Sequence, residues 1–372
     1  MIIGVLTEPT SETRVSLLPE AVSMLTKKSM TVWVQAGAGT KAFASDEDYT
    51  KAGAQIKSPE EIASGADIML SIQTPNSDLN IPANKILIGV YQPLYTFAQM
   101  KEWASKGITS FSLDMLPRTT RAQSMDVLSS QANIAGYKAV LYAAGLFPRY
   151  FPMFMTAAGS IPPAKVLILG AGVAGLQAIA TARRLGAVVE VFDTRPAVKE
   201  EVMSLGGKFI EVEGAADVSK AGGYAVEQTV EFMEKQKQKI AESIAKADIV
   251  ITTAQIPGKA APLLVTTQMI EAMRKGSVII DIAAATGGNT ELTKNNDTIY
   301  HNGVAIVGNS SLSSTVPSDA SKLYGKNVLN FLQLITGKDN ALNLNWEDDL
   351  VKGSCITFNG AVMHERVKAL IG

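Results

Sequence analysis

The sequence is poor in the residues that most often carry disulfide, metal or acid–base chemistry. It has one cysteine, Cys355, and two histidines, His301 and His364, in 372 residues. A single cysteine cannot form a disulfide within the chain, and a chain of this size without disulfides is typical of a reducing compartment. We expect a cytoplasmic protein. Neither histidine belongs to a constellation with a carboxylate or cysteine, and no metal-ligand spacing occurs, so the sequence predicts no metal site.

An excess of charge of one sign is also missing. Lysine and arginine number 34 against 35 aspartate and glutamate residues, a net charge of -1, and no basic stripe is present. Nucleic acid is therefore not an expected partner. The start, "MIIGVLTEPT", lacks a basic region followed by a long apolar run and predicts a first β-strand, not a signal peptide.

The apolar segment "KVLILGAGVAGLQAIATARR" does not have the character of a membrane span. It is bounded by charges, rich in glycine and preceded by Pro162 and Pro163. These features favour a buried parallel strand that leads into a helix, and we expect no transmembrane segment.

Alternation of short apolar runs with helical patterns dominates the rest of the chain. In the first third, "IIGVL", "MTVWV", "DIMLSI", "KILIGV" and "ITSFSL" alternate with stretches such as "PEAVSMLTKK"; later runs are "DIVITTA", "SVIIDIA" and "VAIVG". A helical pattern from Arg121 to about Leu146 links the two halves. The sequence predicts an α/β protein of two Rossmann-like doubly wound domains with parallel sheets, linked by long helices and with a cleft between them.

The predicted domain boundaries make the first domain discontinuous. A serine-rich stretch, "NSSLSSTVPSDAS", and the helical pattern "YGKNVLNFLQLI" predict a return crossing. We therefore expect an N-terminal α/β domain of residues 1–128 plus 312–372 and a Rossmann domain of residues 129–311. Within the second, small polar residues at about 214–226 predict either a mobile loop that carries Tyr224 or an ordinary surface loop.

Three glycines in the second domain predict a dinucleotide site. Gly170, Gly172 and Gly175 form G-x-G-x-x-G directly after the strand "KVLIL" and directly before an amphipathic helix. In this context the first glycine allows a tight turn, the second lets the backbone approach a pyrophosphate, and the third lets helix and strand pack closely. The alternative is a βαβ turn that binds nothing.

Asp193 ends the next strand, where an acid accepts the adenosine ribose hydroxyls. A carboxylate there repels a 2′-phosphate and favours NAD(H) over NADP(H). Arg195 is the alternative, because a guanidinium two residues later could bind that phosphate. The remaining candidate nucleotide contacts are Val173, Ala174, Thr194, Thr253 and Ala254.

A polar cluster, "RTTRAQSMDVLSSQAN", precedes the second domain. Hydride transfer between two nicotinamides needs a fixed ring geometry and no proton shuttle, so amides, hydroxyls and a guanidinium are the expected groups. Arg118, Gln123, Asp126 and Ser129 supply them, and the last three recur every third residue, which predicts a shared helical side. The alternative is that these residues only cap the start of a helix.

Long strings resemble one family over nearly the whole chain. "PRTTRAQSMDVLSSQAN", "GAGVAGLQAIATARRLGAVVEVFDTRP", "AGGYA", "ITTAQIPGKAAPLLVTTQMIEAMRKGSVIIDIA" and "KNVLNFL" look like the NAD(H)-binding component, domain I, of proton-translocating nicotinamide nucleotide transhydrogenases. The resemblance implies that Arg118, Gln123, Asp126 and Ser129 orient the nicotinamide, with Gln123 also approaching the incoming NADP(H). It further implies that Tyr224 folds over bound nucleotide and that Asp193 binds ribose.

The same resemblance implies an activity and an assembly. NAD(H) would bind to this chain and NADP(H) to a partner subunit, with direct hydride transfer between them coupled to proton translocation by membrane subunits. It implies an enzyme active only with those partners. It also implies a homodimer held at the cytoplasmic face of the inner membrane through the partner subunits.

Alanine dehydrogenase is a relative with the same two-domain architecture and is one rival. "TEPTSETRVSLLPE" resembles its opening, with Arg14 at a substrate-carboxylate position. However, Ser71 and Gln73 stand where that pattern carries lysines, and Gln92 where it carries the catalytic histidine. A second rival is a non-catalytic NAD(H) sensor. The chain departs from the transhydrogenase pattern at Val226, Gln228, Ala285, Thr286 and Asn309.

Overall fold

A computed structural model describes residues 1–212, 230–337 and 339–371. The predicted loop at about 214–226, including Tyr224 and Val226, and Gln228 just beyond it lie outside the described residues. The strands are, in chain order, β1 (Ile2–Val5), β2 (Thr31–Gln35), β3 (Gln55–Lys57), β4 (Ile68–Leu70), β5 (Ile86–Gly89), β6 (Thr109–Ser112), β7 (Phe154–Thr156), β8 (Gly159–Ile161), β9 (Lys165–Leu169), β10 (Val188–Phe192), β11 (Lys208–Phe209), β12 (Ile249–Thr252), β13 (Val278–Asp281), β14 (Thr298–His301), β15 (Val304–Val307), β16 (Cys355–Phe358) and β17 (Ala361–Val362).

The helices alternate with these strands. They are α1 (Pro19–Thr26), α2 (Asp46–Lys51), α3 (Pro59–Gly65), α4 (Phe97–Ser105), α5 (Val127–Leu146), α6 (Val173–Arg184), α7 (Lys199–Ser204), α8 (Val230–Ile244), α9 (Thr267–Glu271), α10 (Pro317–Ile335), α11 (Asp349–Ser354) and α12 (Glu365–Ile371). The chain divides into a first unit, Met1–Gln131 with Ser313–Gly372, and a second unit, Ala132–Leu312.

The first unit is built on an eight-stranded sheet in the order β17-β16-β6-β5-β4-β1-β2-β3. The six neighbouring strands β6, β5, β4, β1, β2 and β3 are parallel, and the strand order reverses between β1 and β4. Strand β16, from the C-terminal tail, pairs antiparallel with β6. Strands β4 and β5 are buried at every position, as expected for apolar runs covered on both faces of a parallel sheet.

The second unit repeats this design in a seven-stranded sheet, β11-β10-β9-β12-β13-β15-β14. All pairs are parallel except the edge pair of β14 with β15. Strand order reverses between β9 and β12, the place where open parallel sheets bind ligands. The predicted fold class, α/β with two Rossmann-like parallel sheets, is confirmed.

The predicted start of the long helix is wrong. The apolar pattern indicated a helix from Arg121, but Thr120–Met125 form a 3-10 helix and α5 begins at Val127. Asp126 ends the 3-10 segment and accepts a hydrogen bond from the backbone N–H of Ser129, 2.9 Å away, in the manner of a helix N-cap. Gln123, Asp126 and Ser129 therefore do not share one side of a continuous helix.

Within the described ranges, no helix is both long enough and apolar enough to cross a lipid bilayer.

Candidate functional site

The glycine-rich turn between β9 and α6 has the geometry that its spacing predicts. Gly170 has φ +109°, a conformation that side chains other than glycine rarely adopt. A Cβ at Gly175 would lie 1.9 Å from the carbonyl oxygen of Gly170, so helix and turn approach too closely for any larger residue. Gly172 faces open space, with nothing within 4 Å of a Cβ there.

Helix α6 begins at this turn without a side-chain cap from Gly172. The first backbone N–H groups of any α-helix have no partner within the helix, and here the N-cap residue supplies no side-chain acceptor for them. The positive end of the helix dipole lies beside the open space at Gly172. Val173 is exposed in the first turn, whereas Ala174 is buried. These residues fit the pyrophosphate of a dinucleotide.

Asp193 and Arg195 form an ion pair at the end of β10. The Nε of Arg195 donates to Oδ1 of Asp193 and its Nη2 to Oδ2, each at 3.0 Å. The backbone N–H groups of Arg195 and Ala171 donate to the same carboxylate at 2.8 and 2.7 Å. The carboxylate raises the pKa of Arg195 and ties the strand end to the glycine turn. Thr194, between them, is half-buried.

The segment that follows β12 packs against the first glycine. The hydroxyl of Thr253 donates to the carbonyl oxygen of Gly170 over 3.1 Å, and its backbone N–H donates to Leu169. Thr253 and Ala254 are both half-buried. The structure thus brings Gly170, Asp193 and Thr253 to one edge of the second sheet.

The polar cluster lies in the first unit and is only partly pre-assembled. Asp126 accepts from the backbone N–H of Ser129, and Ser129 Oγ donates to Asp126 Oδ2 over 2.6 Å. Gln123 is exposed on the 3-10 helix, and Arg118 is exposed just before it. Capping accounts for the Asp126–Ser129 contact, whereas the amide of Gln123 remains at the surface.

A buried acidic network, which no sequence pattern indicated, occupies the point of the first sheet where strand order reverses. Glu8 follows β1 and accepts hydrogen bonds from the backbone N–H groups of Ile72 and Gln73, at 2.5 and 2.9 Å, beyond β4. Burial raises the pKa of Glu8 to about 8, against the lowering effect of those two N–H groups. Glutamate in "TEPT" gave no sequence signal, because its partners are more than sixty residues away.

Arg14 is neutralised within this network. Its Nε and Nη2 donate to both carboxylate oxygens of Glu12, at 2.8 and 2.6 Å, and its Nη1 donates to Gln131 Oε1. Burial alone would raise the pKa of Glu12, but the hydrogen bonds and charge of Arg14 outweigh it and hold that pKa at about 2. Gln73 Nε2 and Ser314 Oγ donate to the same carboxylate.

Ser71 and Gln92, two other positions where the chain differs from the alanine dehydrogenase pattern, lie next to Tyr91. Ser71 is buried, with its hydroxyl 3.2 Å from the phenol oxygen of Tyr91, and burial raises the pKa of that phenol. Gln92 is exposed and has φ +49°. Tyr91, rather than Gln92, therefore faces Ser71.

One expectation about the histidines is wrong. His301 was expected to have no carboxylate near it, but its Nε2 lies 3.0 Å from Glu271 Oε1 at the surface, because β14 ends beside α9. His364 is half-buried, and burial lowers its pKa. No group of three or more His, Cys, Asp or Glu side chains suited to a metal ion occurs among residues 1–212, 230–337 and 339–371.

The described departures from the family pattern have local roles. Ala285 is exposed, and Thr286 Oγ1 donates to the carbonyl oxygen of Ala283. Asn309 Oδ1 accepts from the backbone N–H of Ser311 over 2.8 Å. None of these contacts reaches the glycine turn.

Two family models match the chain. "Alanine dehydrogenase/PNT, N-terminal domain" matches residues 4–135 and "Alanine dehydrogenase/PNT, C-terminal domain" residues 139–365. An NAD(P) transhydrogenase alpha subunit of Rhodospirillum rubrum is 45% identical over 364 residues, 95% of each chain. Alanine dehydrogenase of Mycolicibacterium smegmatis is 30% identical over 77% of this chain and 74% of that protein. The crystal structure of transhydrogenase from Sinorhizobium meliloti superposes with a TM-score of 0.89 and 44% identity, covering 97% of this chain and 100% of that one.

Proposed function

The chain belongs to the alanine dehydrogenase/PNT family, and from this premise we propose that it is the NAD(H)-binding subunit of a proton-translocating transhydrogenase. The glycine turn carries the proposal. Gly170 in a left-handed conformation, open space at Gly172 and an uncapped start of α6 together accommodate a dinucleotide pyrophosphate. The identity to transhydrogenase alpha subunits over 95% of the chain supports the same function.

NAD(H), not NADP(H), is the proposed nucleotide at this turn. Asp193 places a carboxylate at the end of β10 and holds the guanidinium of Arg195, so the positive charge is not available to a 2′-phosphate. The carboxylate already accepts four hydrogen bonds, which is its usual capacity. A ribose hydroxyl would replace one of the bonds from Arg195.

The polar cluster serves, in this proposal, to orient the nicotinamide. The bound nucleotide supplies the hydride, and the chain supplies only position. Arg118 and the exposed amide of Gln123 would hold the carboxamide, and Asp126 would fix Ser129 at the start of α5. NADP(H) would bind on a partner subunit. No proton donor is needed at the reacting carbon, and so the absence of a histidine in this cluster is no obstacle.

The buried network of the first unit disfavours an amino-acid dehydrogenase. Arg14 donates three hydrogen bonds to Glu12 and Gln131, and its charge is compensated inside the protein by the carboxylate of Glu12. Gln73 also donates to Glu12, and Ser71 contacts Tyr91. Arg14, Gln73 and Ser71, which occupy the positions that distinguish the dehydrogenase pattern, therefore do not offer the acid or base that oxidation of an amino acid requires.

The assembly that we propose follows the family resemblance. The two units act as domains, the chain forms a homodimer, and partner subunits provide the NADP(H) site and the membrane path for protons. These partners would hold the chain at the cytoplasmic face of the inner membrane. One surface supports the homodimer. Strands β7 and β8 form a separate two-stranded sheet whose Phe154 and Met155 are 45% and 76% exposed.

Steady-state transfer from NADH to a thio-NADP+ analogue tests the function. The purified chain should be inactive alone and active with membranes that carry the partner subunits. Gln123→Ala should lower the rate of the mixture roughly a hundredfold, because a small displacement of the ring is enough to misalign the transfer. NADH affinity should change little.

The other outcomes point elsewhere. NADH binding without transfer in any mixture would replace the proposal with a non-catalytic sensor. Oxidation of alanine with NAD+ by the chain alone would replace it with an amino-acid dehydrogenase. Equal losses of rate and NADH affinity in Gln123→Ala would contradict the orienting role of that amide.

A further inference from the structure

Asn289 is a fully buried amide that belongs to neither the glycine motif nor the polar cluster. It follows two glycines of positive φ, Gly287 and Gly288, after β13, and none of its surface is exposed. Its backbone N–H donates to Asp281 Oδ2 over 2.6 Å, and Asp281 also binds the hydroxyl of Thr293. The buried carboxylate of Asp281 therefore fixes the backbone position of Asn289.

The amide of Asn289 holds both ends of the segment that follows β12. Its Oδ1 accepts from the backbone N–H of Ala254 at 3.0 Å, and its Nδ2 donates to the carbonyl oxygens of Ala254 and Pro262 at 2.9 and 2.8 Å. Both donors and the acceptor are used, which is the full set that an asparagine side chain offers apart from one lone pair. Between these contacts, residues 255–260 are exposed.

These bonds set the position of the nucleotide-facing residues. Ala254 is paired with Asn289 as it would be with a neighbouring strand, and Thr253 is the residue before it. The hydroxyl of Thr253 donates to the carbonyl oxygen of Gly170, and a Cβ at Gly170 would lie only 2.4 Å from that hydroxyl. A shift of Ala254 would therefore displace the first glycine of the turn or break its contact with Thr253.

We propose that Asn289 is a positioning residue of the NAD(H) site, which aligns Thr253 and Ala254 with the glycine turn through the two ends of the segment after β12. The inference rests on the proposed function, because it presupposes that nucleotide binds at that turn. Asn289 does not touch the open space at Gly172; it acts through the backbone of Ala254 and Pro262.

Two substitutions separate hydrogen bonding from volume. Asn289→Ala removes the amide, whereas Asn289→Asp keeps its size but turns two donor contacts into repulsion between oxygens. Asp248→Asn is the matched control, since Asp248 is 3% exposed and lies at the opposite end of β12, where it accepts from the backbone N–H of Lys165. It should weaken the same sheet without touching the segment after β12.

The Kd for NADH is measured by fluorescence titration of the full chain, and the exchange rates of its backbone amides are measured by hydrogen exchange. Both Asn289 variants should raise the Kd for NADH about tenfold or more, as for other losses of a supporting contact at a binding site. Exchange at residues 253–262 should increase, while exchange at β9 stays slow. Asp248→Asn, compared at a similar loss of thermal stability, should leave the Kd nearly unchanged.

The result that overturns the inference is a normal NADH Kd in Asn289→Asp, or an equal rise in Asp248→Asn. If neither Asn289 variant folds, Thr253→Val replaces them, because it removes the bond to Gly170 and keeps the side-chain volume. An unchanged Kd in Thr253→Val would then overturn it. Failure of the unsubstituted chain to bind NADH would overturn the proposed function as well, so the two failures are distinct.

Discussion

At the scale of single residues, the proposed choice of NAD(H) over NADP(H) rests on the ion pair of Asp193 with Arg195. Asp193→Ala removes the carboxylate and leaves the guanidinium of Arg195 without its partner. NADH affinity should fall and NADPH affinity should rise, because the free guanidinium can bind a 2′-phosphate. The ratio of the two Kd values should shift by about tenfold, as expected for one charge-assisted contact.

Arg195→Ala in the Asp193→Ala background is the control for this prediction. It should remove the gain in NADPH affinity, since the charge responsible is gone. Fluorescence titrations with both nucleotides measure the ratio. Identical NADH and NADPH affinities in Asp193→Ala and the unsubstituted chain would exclude a role for this pair in selection.

Asp126 combines a capping role with a proposed orienting role, and the two can be separated. Asp126→Ala loses the N-cap of α5 and should lower the free energy of unfolding by about 1 kcal/mol. Asp126→Asn keeps the cap, because asparagine is as good an N-cap as aspartate. If Asp126 also orients the nicotinamide, Asp126→Asn should be stable yet slow in hydride transfer. Full activity in a stable Asp126→Asn would leave capping as its only role.

Glu12 gives the first unit a specific dependence on acid. Its pKa is lowered to about 2 in the folded chain, against an ordinary value of 4.5, so its pairing stabilises the fold above pH 4.5. That stabilisation is lost as the pH falls from 4.5 towards 2. Glu12→Gln should therefore be less stable than the unsubstituted chain at pH 5, and the difference should narrow by about 2 kcal/mol between pH 5 and pH 3.

Denaturant unfolding across this pH range measures the Glu12 effect. Glu365, exposed and 3.4 Å from the Nζ of Lys368, gives the control Glu365→Gln, for which the screened surface pair should contribute almost no change in the stability difference between pH 5 and pH 3. A difference for Glu12→Gln that stays constant from pH 5 to pH 3 would contradict the lowered pKa.

At the scale of elements, the contact of α5 with the start of α6 depends on one glycine. A Cβ at Gly136 would lie 2.0 Å from the backbone oxygen of Ala174, so the backbone of α5 at Gly136 packs directly against the backbone of α6 at Ala174. Gly136→Ala should cost about 1–3 kcal/mol of stability and weaken NADH binding, because it displaces the first turn of α6. Gly145, on the same helix, has nothing within 4 Å of a Cβ.

Gly145→Ala is thus the matched control for Gly136→Ala. It should leave stability and NADH affinity unchanged or slightly improved. Thermal unfolding and NADH titration of both variants provide the comparison. Equal effects of the two substitutions would show that the close contact at Ala174 has no bearing on the nucleotide site.

The elements that the sequence predicted well are those specified by continuous local patterns. Strands β4, β5, β12 and β13 are short apolar runs buried at every position, so composition alone identified them. The predicted start of α5 is wrong because the apolar periodicity continues through residues 121–126. In the structure, the carboxylate of Asp126 accepts from the backbone N–H of Ser129 and caps a helix that begins only at Val127. Capping of this kind is decided by side-chain geometry, which periodicity does not contain.

In the candidate site, too, the sequence predicted only the residues that belong to a continuous local pattern. The glycine turn and Asp193 follow from spacing within one βαβ unit. Asn289 and Glu8 did not. The side-chain partners of Asn289 lie 27 and 35 residues away and those of Glu8 lie 64 and 65 residues away, and they become neighbours only when the parallel strands pair. The strand order that makes them neighbours is not written in any local pattern.

At the scale of the whole molecule, substitutions in the sheet of β7 and β8 test the proposed homodimer. An isolated two-stranded sheet is marginally stable in water, and its edges favour pairing with another chain. Met155→Glu should convert the proposed homodimer to a monomer, because it places a charge on an apolar contact surface. Met203→Glu on α7 is the control, since Met203 is 57% exposed and lies outside this sheet.

Sedimentation equilibrium measures this outcome. The unsubstituted chain and Met203→Glu should have twice the mass calculated from the sequence, and Met155→Glu the mass of one chain. A dimer that survives Met155→Glu would move the interface elsewhere, and a monomer for the unsubstituted chain would remove the homodimer from the account.

Transfer of isotope between the two nucleotides tests the central claim most directly. NADH that carries deuterium at the transferred position is mixed with NADP+, the purified chain and membranes that contain the partner subunits, and the NADPH formed is analysed by mass spectrometry. The account predicts that the deuterium appears in NADPH without exchange with water, and only when both the chain and the membranes are present. NADPH without deuterium, or labelled NADPH formed without this chain, would contradict direct hydride transfer from nucleotide bound at its glycine turn.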